Sequence, residues 1–363
     1  MLRVWICIIL GALVCATGQA ETPVVVKPMS ELRQRIADAV ANKAQRVVIP
    51  PGVYRGDPAG HGAVHLALNN VSDLEIVTDG VTMICTRRTR AIAFNQCRNV
   101  TLSGLTIDYD PLTFTQGKVI AVAEKLAKAQ PWSLWKAGGH YARVTLDRPA
   151  TFDAGQSLYS PDRQGCAFVF RHSRLHSSGR ILVKASDGVI EDNTLLAPHA
   201  IVLCPDLPGE SAAGIHDITI RRNTIVESGY FCPAPWSSQA GAISITASGP
   251  GGHLGMAGVF DGITIEDNTF RGICGVNLCI ASSRNVLIKG NRFIDTHQTR
   301  PTDTGAQYKI GQSAVVWLNQ CQGVRFEDNQ VIGQGPFAGR LATIEPTVQD
   351  VTGLPDGLRV HGK

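Results

Sequence analysis

Three carboxylates stand close to one lysine in the middle of the chain. The stretch "RILVKASDG" (180–188) carries Lys184 and Asp187, and "CPDLPGESAAG" (204–214) carries Asp206 and Glu210. Acid–base cleavage of a glycosidic bond uses two carboxyls facing that bond, one protonated and one ionised. A lysine beside them can act as a base, hold a hydroxyl or carboxylate, or tune a neighbouring acid. Asp187, Asp206, Glu210 and Lys184 are therefore the catalytic candidates. Asp108 and Asp110, which flank Tyr109, join Arg180, His199 and Asn277 as candidate substrate-binding groups. Trp236 and Trp317 offer faces on which a sugar ring could stack. Each residue also has a plainer reading. Asp187 precedes Gly188 and could only shape a turn, Asp108 and Asp110 could anchor an insertion, and the tryptophans could pack in a core.

Several chemistries are excluded. No cysteine pair has C-x-x-C spacing, no Asp-x-Asp-x-Asp-Gly loop occurs, and no Gly-rich loop joins a strand to a helix. Neither a metal nor a cofactor is expected. A net charge of +4 without a block of Lys/Arg argues against nucleic acid. The chain has 363 residues, 44% of them hydrophobic, enough for a large core, while 37 Gly and 6% aromatics point to a turn-rich β protein.

Residues 1–20 read as a leader: Arg3, an apolar run, then Gly18 and Ala20 before a cut near Ala20. No later segment is long and apolar enough to span a bilayer, so a secreted or periplasmic product is expected. Cys15 would suit a lipoprotein, but Val14 is larger than the residue such a site takes. Eight cysteines follow Cys15. Several lie in apolar strand-like runs, where Cys serves as a small buried residue; one or two disulfides stay open.

The elements that must position these groups emerge from a repeat. "VIEDNTL" (189–195), "TIRRNTI" (219–225), "TIEDNTF" (264–270), "LIKGNRF" (287–293) and "RFEDNQV" (325–331) share an apolar–polar–polar–Asn pattern, and "VFRHSRL" (169–175) fits with His172 in the Asn slot. Successive Asn are 30, 45, 23 and 38 residues apart, and His172 stands 21 before Asn193. Such unequal periods describe a solenoid with loops inserted at its edges. The units offer strands of three to six residues and no long amphipathic helices, so the expected fold is all-β, a right-handed parallel β-helix. The Asn is read as a bend residue that tolerates the left-handed conformation and hydrogen-bonds to its copies in a ladder.

Another strand accompanies each Asn unit. Alternation turns Ile181/Val183, Ile201/Leu203 and Ile243/Ile245 inward. The outward row then reads Asn95, Lys184, Cys204, Ser244/Thr246 and Asn277, a polar floor for an extended hydrophilic ligand. "MSELRQRIADAVANKA" (29–44) predicts a capping helix with Ser30 as N-cap and Leu32, Ile36 and Val40 on its buried face. The expected layout is a leader (1–20), cap and first rungs (21–111), a small antiparallel β insertion (112–165), the main β-helix (166–345) and an aperiodic tail (346–363).

With those residues in view, "VVIPPGVYRG" resembles the opening of pectin-lyase-like right-handed β-helix proteins. "NVTLSGLTIDYDPLTFTQGKV" (99–119) and "GRILVKASDGVIEDNT" (179–194) resemble segments of glycoside hydrolase family 110, exo-acting α-1,3-galactosidases. That resemblance implies an inverting glycosidase, hence two carboxyls more than one rung apart: one rung is about 5 Å and two are about 9–10 Å. The motifs of polygalacturonases and alginate epimerases are absent. Lys184 in "LVKASDG" echoes the strand lysine of chondroitinase B-type lyases, whose partner arginine has no counterpart in "VLCPDLPG". A glycoside hydrolase acting on a polysaccharide or oligosaccharide is the leading expectation. A lyase or epimerase using Lys184 as base on uronic-acid polymers is the alternative, and a non-catalytic carbohydrate-binding solenoid the third.

Overall fold

A computed structural model describes residues 26–59, 64–87, 89–110, 165–177, 179–204, 214–230, 232, 237–247, 253–339 and 342–354. The chain winds into a right-handed parallel β-helix of three sheets, the hand that parallel crossovers adopt. The first sheet stacks 46–48, 74–77, 100–103, 168–171, 188–191, 218–221, 263–266, 286–289 and 324–327. The second stacks 26–28, 53–55, 82–84, 106–107, 174–176, 194–196, 224–226, 269–271, 292–294 and 330–332. The third stacks 181–183, 201–203, 243–245, 278–280, 316–318 and 342–344. Val64–Asn69 and Arg90–Asn95 pair in parallel and supply the third face of the earliest turns.

Period-two alternation fills the interior. On the third sheet Ile201, Leu203, Ile243, Ile245, Leu278, Ile280, Val316 and Leu318 are all fully buried. On the second, Leu195, Ile225, Phe270 and Phe293 form one inward column, with the two phenylalanine rings stacked at 4.9 Å. No rung has an apolar centre of its own, so the core exists only in the stack.

The bend between the first and second sheets departs from expectation by one position. The left-handed residue is the one before the Asn: Asp192, Arg222, Asp267 and Asp328 have φ between 52 and 57°. Asn193, Asn223, Asn268, Asn291 and Asn329 are buried one step later. Each Nδ2 of the first four donates to the next Oδ1 at 2.9–3.0 Å, and each also donates to a main-chain oxygen of the rung before. In the 169–175 unit the slot belongs to Ser173, whose N–H donates to Asn193 Oδ1 at 2.9 Å, while His172 is the left-handed residue with φ 51°. The strand register fixes this, pairing Val169 with Val189.

The helix Met29–Ala41 packs Met29, Leu32, Ile36 and Ala39 against the first turns. Its N-cap is Pro28 with no side-chain cap bond, so Ser30 lies within the first turn, and Val40 is exposed rather than buried. The 112–165 insertion lies almost wholly outside the described residues. The expected aperiodic tail instead adds a strand, Gln349–Thr352, paired onto 322–325. All eight described cysteines are free.

Two stability predictions follow from buried polar groups. Asn268→Ala orphans the backbone N–H of Asn223, removes one acceptor of its amide and takes the side-chain donor from the carbonyl of Ile220, and urea unfolding should show a loss of about 2–3 kcal/mol. Asn329→Ala, at the end of the ladder, loses the matching bonds to Asn291 and Ile288 but has no onward donation to lose, so it should cost less. His65 and His297 are fully buried, and burial holds both imidazoles below their ordinary 6.5. The unfolded chain then binds protons that the folded chain refuses, so this contribution is intact above 6.5 and is lost as pH falls below it. Urea midpoints measured across that value should fall on the acid side, and His297→Gln should flatten the fall.

Candidate functional site

The outward side chains of the third sheet form three columns set by register. One edge carries Arg180, Ala200, Ala242, Asn277 and Val315; the middle carries Leu182, Val202, Ser244, Cys279 and Trp317; the other edge carries Lys184, Cys204, Thr246, Ala281 and Asn319. Of the residues named from sequence as an outward row, Lys184, Cys204, Ser244, Thr246 and Asn277 share this sheet, while Asn95 lies apart on the pair Val64–Asn69 and Arg90–Asn95. They do not make an open floor. Asn277, Ser244, Cys279 and Trp317 have no exposed surface, and Thr246 and Cys204 have almost none. Ala240, Val276 and Ile310 close over Cys279, Ala281 and Trp317 in a second apolar layer, flanked by Leu254 and Tyr308. Trp317 is packing, with its indole N–H on Glu345 Oε1 at 3.2 Å, and it offers no face to a sugar. Asn277 is likewise sealed, its amide donating to Gly275 O at 3.2 Å.

The cover thins at the rung of Ile181–Val183. There Leu182 is 44% exposed, and Arg180 and Lys184 flank it on the same side of the strand. Arg180 Nη1 donates to Gln239 Oε1 and lies 3.9 Å from Cys232 Sγ. Gln239 passes the connection on, its Nε2 donating to Cys204 Sγ at 3.0 Å. Burial raises the pKa of the Cys204 and Cys232 thiols, keeping both protonated; Lys184 and Arg180 pull Cys204 back and Arg180 pulls Cys232 back. His199 is buried in the preceding turn, with Nδ1 3.4 Å from Gly241 O. Lys184 and, through Gln239, Arg180 thus both bear on the Cys204 thiol, whereas His199 lies at the other end of its strand against Gly241. The segment 205–213, with Asp206 and Glu210, lies outside the described residues, as does Trp236.

Asp187 sits elsewhere, at the corner between the third and first sheets. Its φ of 54° belongs to a column of left-handed residues at the same corner, among them Asp73, Asn99, Asp217, Asn285 and Asp350. The backbone alone explains a residue of this type there. His216 Nδ1 lies 3.6 Å from Asp187 Oδ1 and 2.9 Å from Asp217 Oδ2. One ligand atom from each of the three falls within 4.8 Å of the others, a grouping of metal-ligand types that is exposed throughout.

Asp108 and Asp110 separate. Asp110 pairs with Arg55 at 2.5 Å on the solvent side. Asp108 faces His176 Nδ1 at 3.4 Å across adjacent rungs of the second sheet, four residues before Arg180. Sequence reasoning passed over His176, Gln239, Cys232 and His216. His176 follows the inward Leu175, so alternation could have placed it outward; Gln239 and Cys232 lie in a loop whose return path has no periodic signal.

No protein-family model matches the chain, and no curated protein sequence matches it. Among solved structures it is similar to the A-module of a mannuronan C-5 epimerase from Azotobacter vinelandii, at 12% identity over 90% of this chain and 96% of that one, TM-score 0.37. It is also similar to a tailspike protein of an E. coli bacteriophage in complex with a pentasaccharide, at 11% identity over 91% and 65% of the two chains, TM-score 0.40. A third is an iota-carrageenase complexed to iota-carrageenan fragments, at 13% identity over 83% and 53%, TM-score 0.34. Likenesses this distant carry no information on activity; the solenoid itself is fixed by the strand register above.

Proposed function

We propose that this chain is an exported glycoside hydrolase that cleaves a polysaccharide at the thinly covered end of the third sheet. One observation carries the reading. Lys184 lies in line with Cys204, from which the segment bearing Asp206 and Glu210 departs, and Arg180 reaches the same thiol through Gln239. That segment rejoins the fold at Gly214, next to Ile215 and His216. Covalent reach keeps the Cα of Asp206 within about 7 Å of that of Cys204. Asp206 and Glu210 supply the acid and base, Lys184 holds the substrate and tunes the nearer acid, and Asp187 is retained mainly for its turn. The resemblance of 99–119 and 179–194 to the family 110 galactosidases supports an α-galactosidic bond, with inversion. Export is supported by the leader-like residues 1–20.

A lyase or epimerase is the second reading, favoured by the outward lysine and an arginine on the same strand. The chemistries leave different products. Hydrolysis adds a reducing end without a new double bond; elimination adds an unsaturated end that absorbs in the ultraviolet; epimerisation changes composition without shortening the chain. A panel of neutral, carboxylated and sulfated polymers read by all three assays should give reducing ends alone. Asp206→Asn and Glu210→Gln should each lower kcat by about 100-fold or more. Ultraviolet-absorbing products abolished by Lys184→Met would establish the lyase instead. Full turnover in an Asp187→Asn, Asp206→Asn, Glu210→Gln triple variant would sink the site assignment.

A further inference from the structure

The corner between the third and first sheets carries a column of left-handed residues, one per rung. Two conditions set what such a column can hold. The backbone favours glycine or a short polar residue, and each side chain must suit its neighbour one rung away. Two acids at this corner meet a donor on the next rung: Asp73 accepts from Asn99 Nδ2 at 2.8 Å, and Asp261 accepts from Asn285 Nδ2 at 2.8 Å and from Arg284 at 2.7 Å. One place departs from this. Gly188 pairs with Ile218, which sets Asp187 against Asp217 on adjacent rungs, two like charges about 4.8 Å apart along the axis. The next residues in the column are Ala167 on one side and Gly262 on the other, and neither side chain carries a donor. The left-handed backbone explains a short polar residue at each position; it does not explain two carboxylates in succession. Among the described residues, the group that faces both is the His216 imidazole, with Nδ1 2.9 Å from Asp217 Oδ2 and 3.6 Å from Asp187 Oδ1. The His216 main-chain N–H donates to Ser186 Oγ at 3.1 Å, which ties this residue to the rung of Asp187.

From this placement we infer that Asp187, His216 and Asp217 bind a divalent transition ion of the zinc class. Zinc bonds to imidazole nitrogen and carboxylate oxygen are about 2.0–2.2 Å long, which holds neighbouring donor atoms about 3–3.5 Å apart. The donor atoms of the three residues already lie 2.9 and 3.6 Å apart along two sides and within 4.8 Å on the third. A divalent ion cancels both carboxylate charges, whereas an imidazole carries one positive charge at most. The ring nitrogen sets the ion class, because calcium and magnesium prefer oxygen donors alone and imidazole suits zinc, copper and nickel. All three side chains are exposed, so three protein donors leave coordination positions for water or for a ligand oxygen. Strand register holds the two carboxylates on neighbouring rungs before any ion arrives. The inference stands apart from the polysaccharide reading, and its test needs no substrate.

The test uses the full chain, stripped of metal with a chelator and titrated in a calorimeter with zinc, magnesium or calcium chloride. Zinc should bind and should raise the unfolding temperature of the protein, while magnesium and calcium at the same concentrations should do neither. Asp187→Asn and Asp217→Asn each keep a residue that the left-handed corner accepts, so these variants should fold. Each of them, and His216→Gln, should weaken zinc binding about ten-fold or more and remove the zinc-dependent rise in unfolding temperature. Without metal, the two Asn variants should unfold at or above the temperature of the parent, because each relieves the repulsion between the stacked carboxylates. A purely structural bridge, with His216 pairing to both acids, predicts the reverse: lower metal-free unfolding temperatures in all three variants and no zinc binding by the parent. That result would overturn the inference. So would zinc binding that is unchanged in all three variants, which places the ion elsewhere, or calcium or magnesium binding tighter than zinc, which removes the ion class.

Discussion

The molecule depends on parallel strands repeating in register, so that a residue meets its counterpart one rung away at about 4.8 Å. Under that constraint side chains cannot be chosen one at a time. Whatever stands at one rung is the neighbour of whatever stands at the next. The buried asparagines are the strictest case. An isolated buried amide is costly, yet in a column each donates to the next while its second N–H reaches a main-chain oxygen of the preceding rung. Ser173 begins the run and Asn329 ends it. The charged column on the first sheet obeys the same constraint with opposite chemistry. Identical amides attract when stacked, whereas identical charges repel, so Arg171, Glu191, Arg221, Glu266, Lys289 and Glu327, one per rung, alternate in sign.

The connections then decide what each face can do. Between the first and second sheets the turn is two residues long, fixed by the left-handed position and the asparagine, and leaves no room for function. On either side of the third sheet the connections lengthen, with 227–242 and 297–315 on one edge and 204–214 and 246–259 on the other. Part of that length folds back as cover. Ala240, Val276 and Ile310 lie over Cys279 and Trp317, and Gln312 accepts from Val276 N–H while donating to Thr304 O. The covered rungs are thereby removed from ligand binding. Among the described outward residues of this sheet Leu182 is the most exposed, on the rung of Ile181–Val183.

The period of the solenoid was legible because columns leave a trace in sequence: an apolar pair, a polar pair and an Asn recur at each bend. The same logic explains the errors. His172 was placed in the asparagine slot because His and Asn are both polar, whereas register puts Ser173 there. The left-handed conformation was assigned to Asn because Asn tolerates it, yet the ladder needs the side chain turned inward, so the preceding Asp, Arg or Gly takes the bend. Alternation correctly turned Ser244, Thr246 and Asn277 away from the core. It could not say that a loop would close over them, because covering is a contact between distant segments and has no period. Trp317 was ambiguous for the same reason.

This gives a way to weigh individual residues. Where a residue type recurs down its column, the backbone or the stack accounts for it. Asp187 belongs to that class, since Asp73, Asp217 and Asp350 share its corner and its left-handed φ. Glu191 and Arg221 also belong to it, answered by their neighbours at every step. Arg180 and Lys184 do not. Their columns continue as alanine on one side and as cysteine and threonine on the other, so stacking gives no reason for a long cation at either place. In a fold that repeats by necessity, a break in a column is where the wall stops serving itself. Both breaks fall at the ends of Ile181–Val183, where Leu182 is the exposed outward side chain of the sheet, and Arg180 is held there by Gln239 from the covering loop and not by its own column.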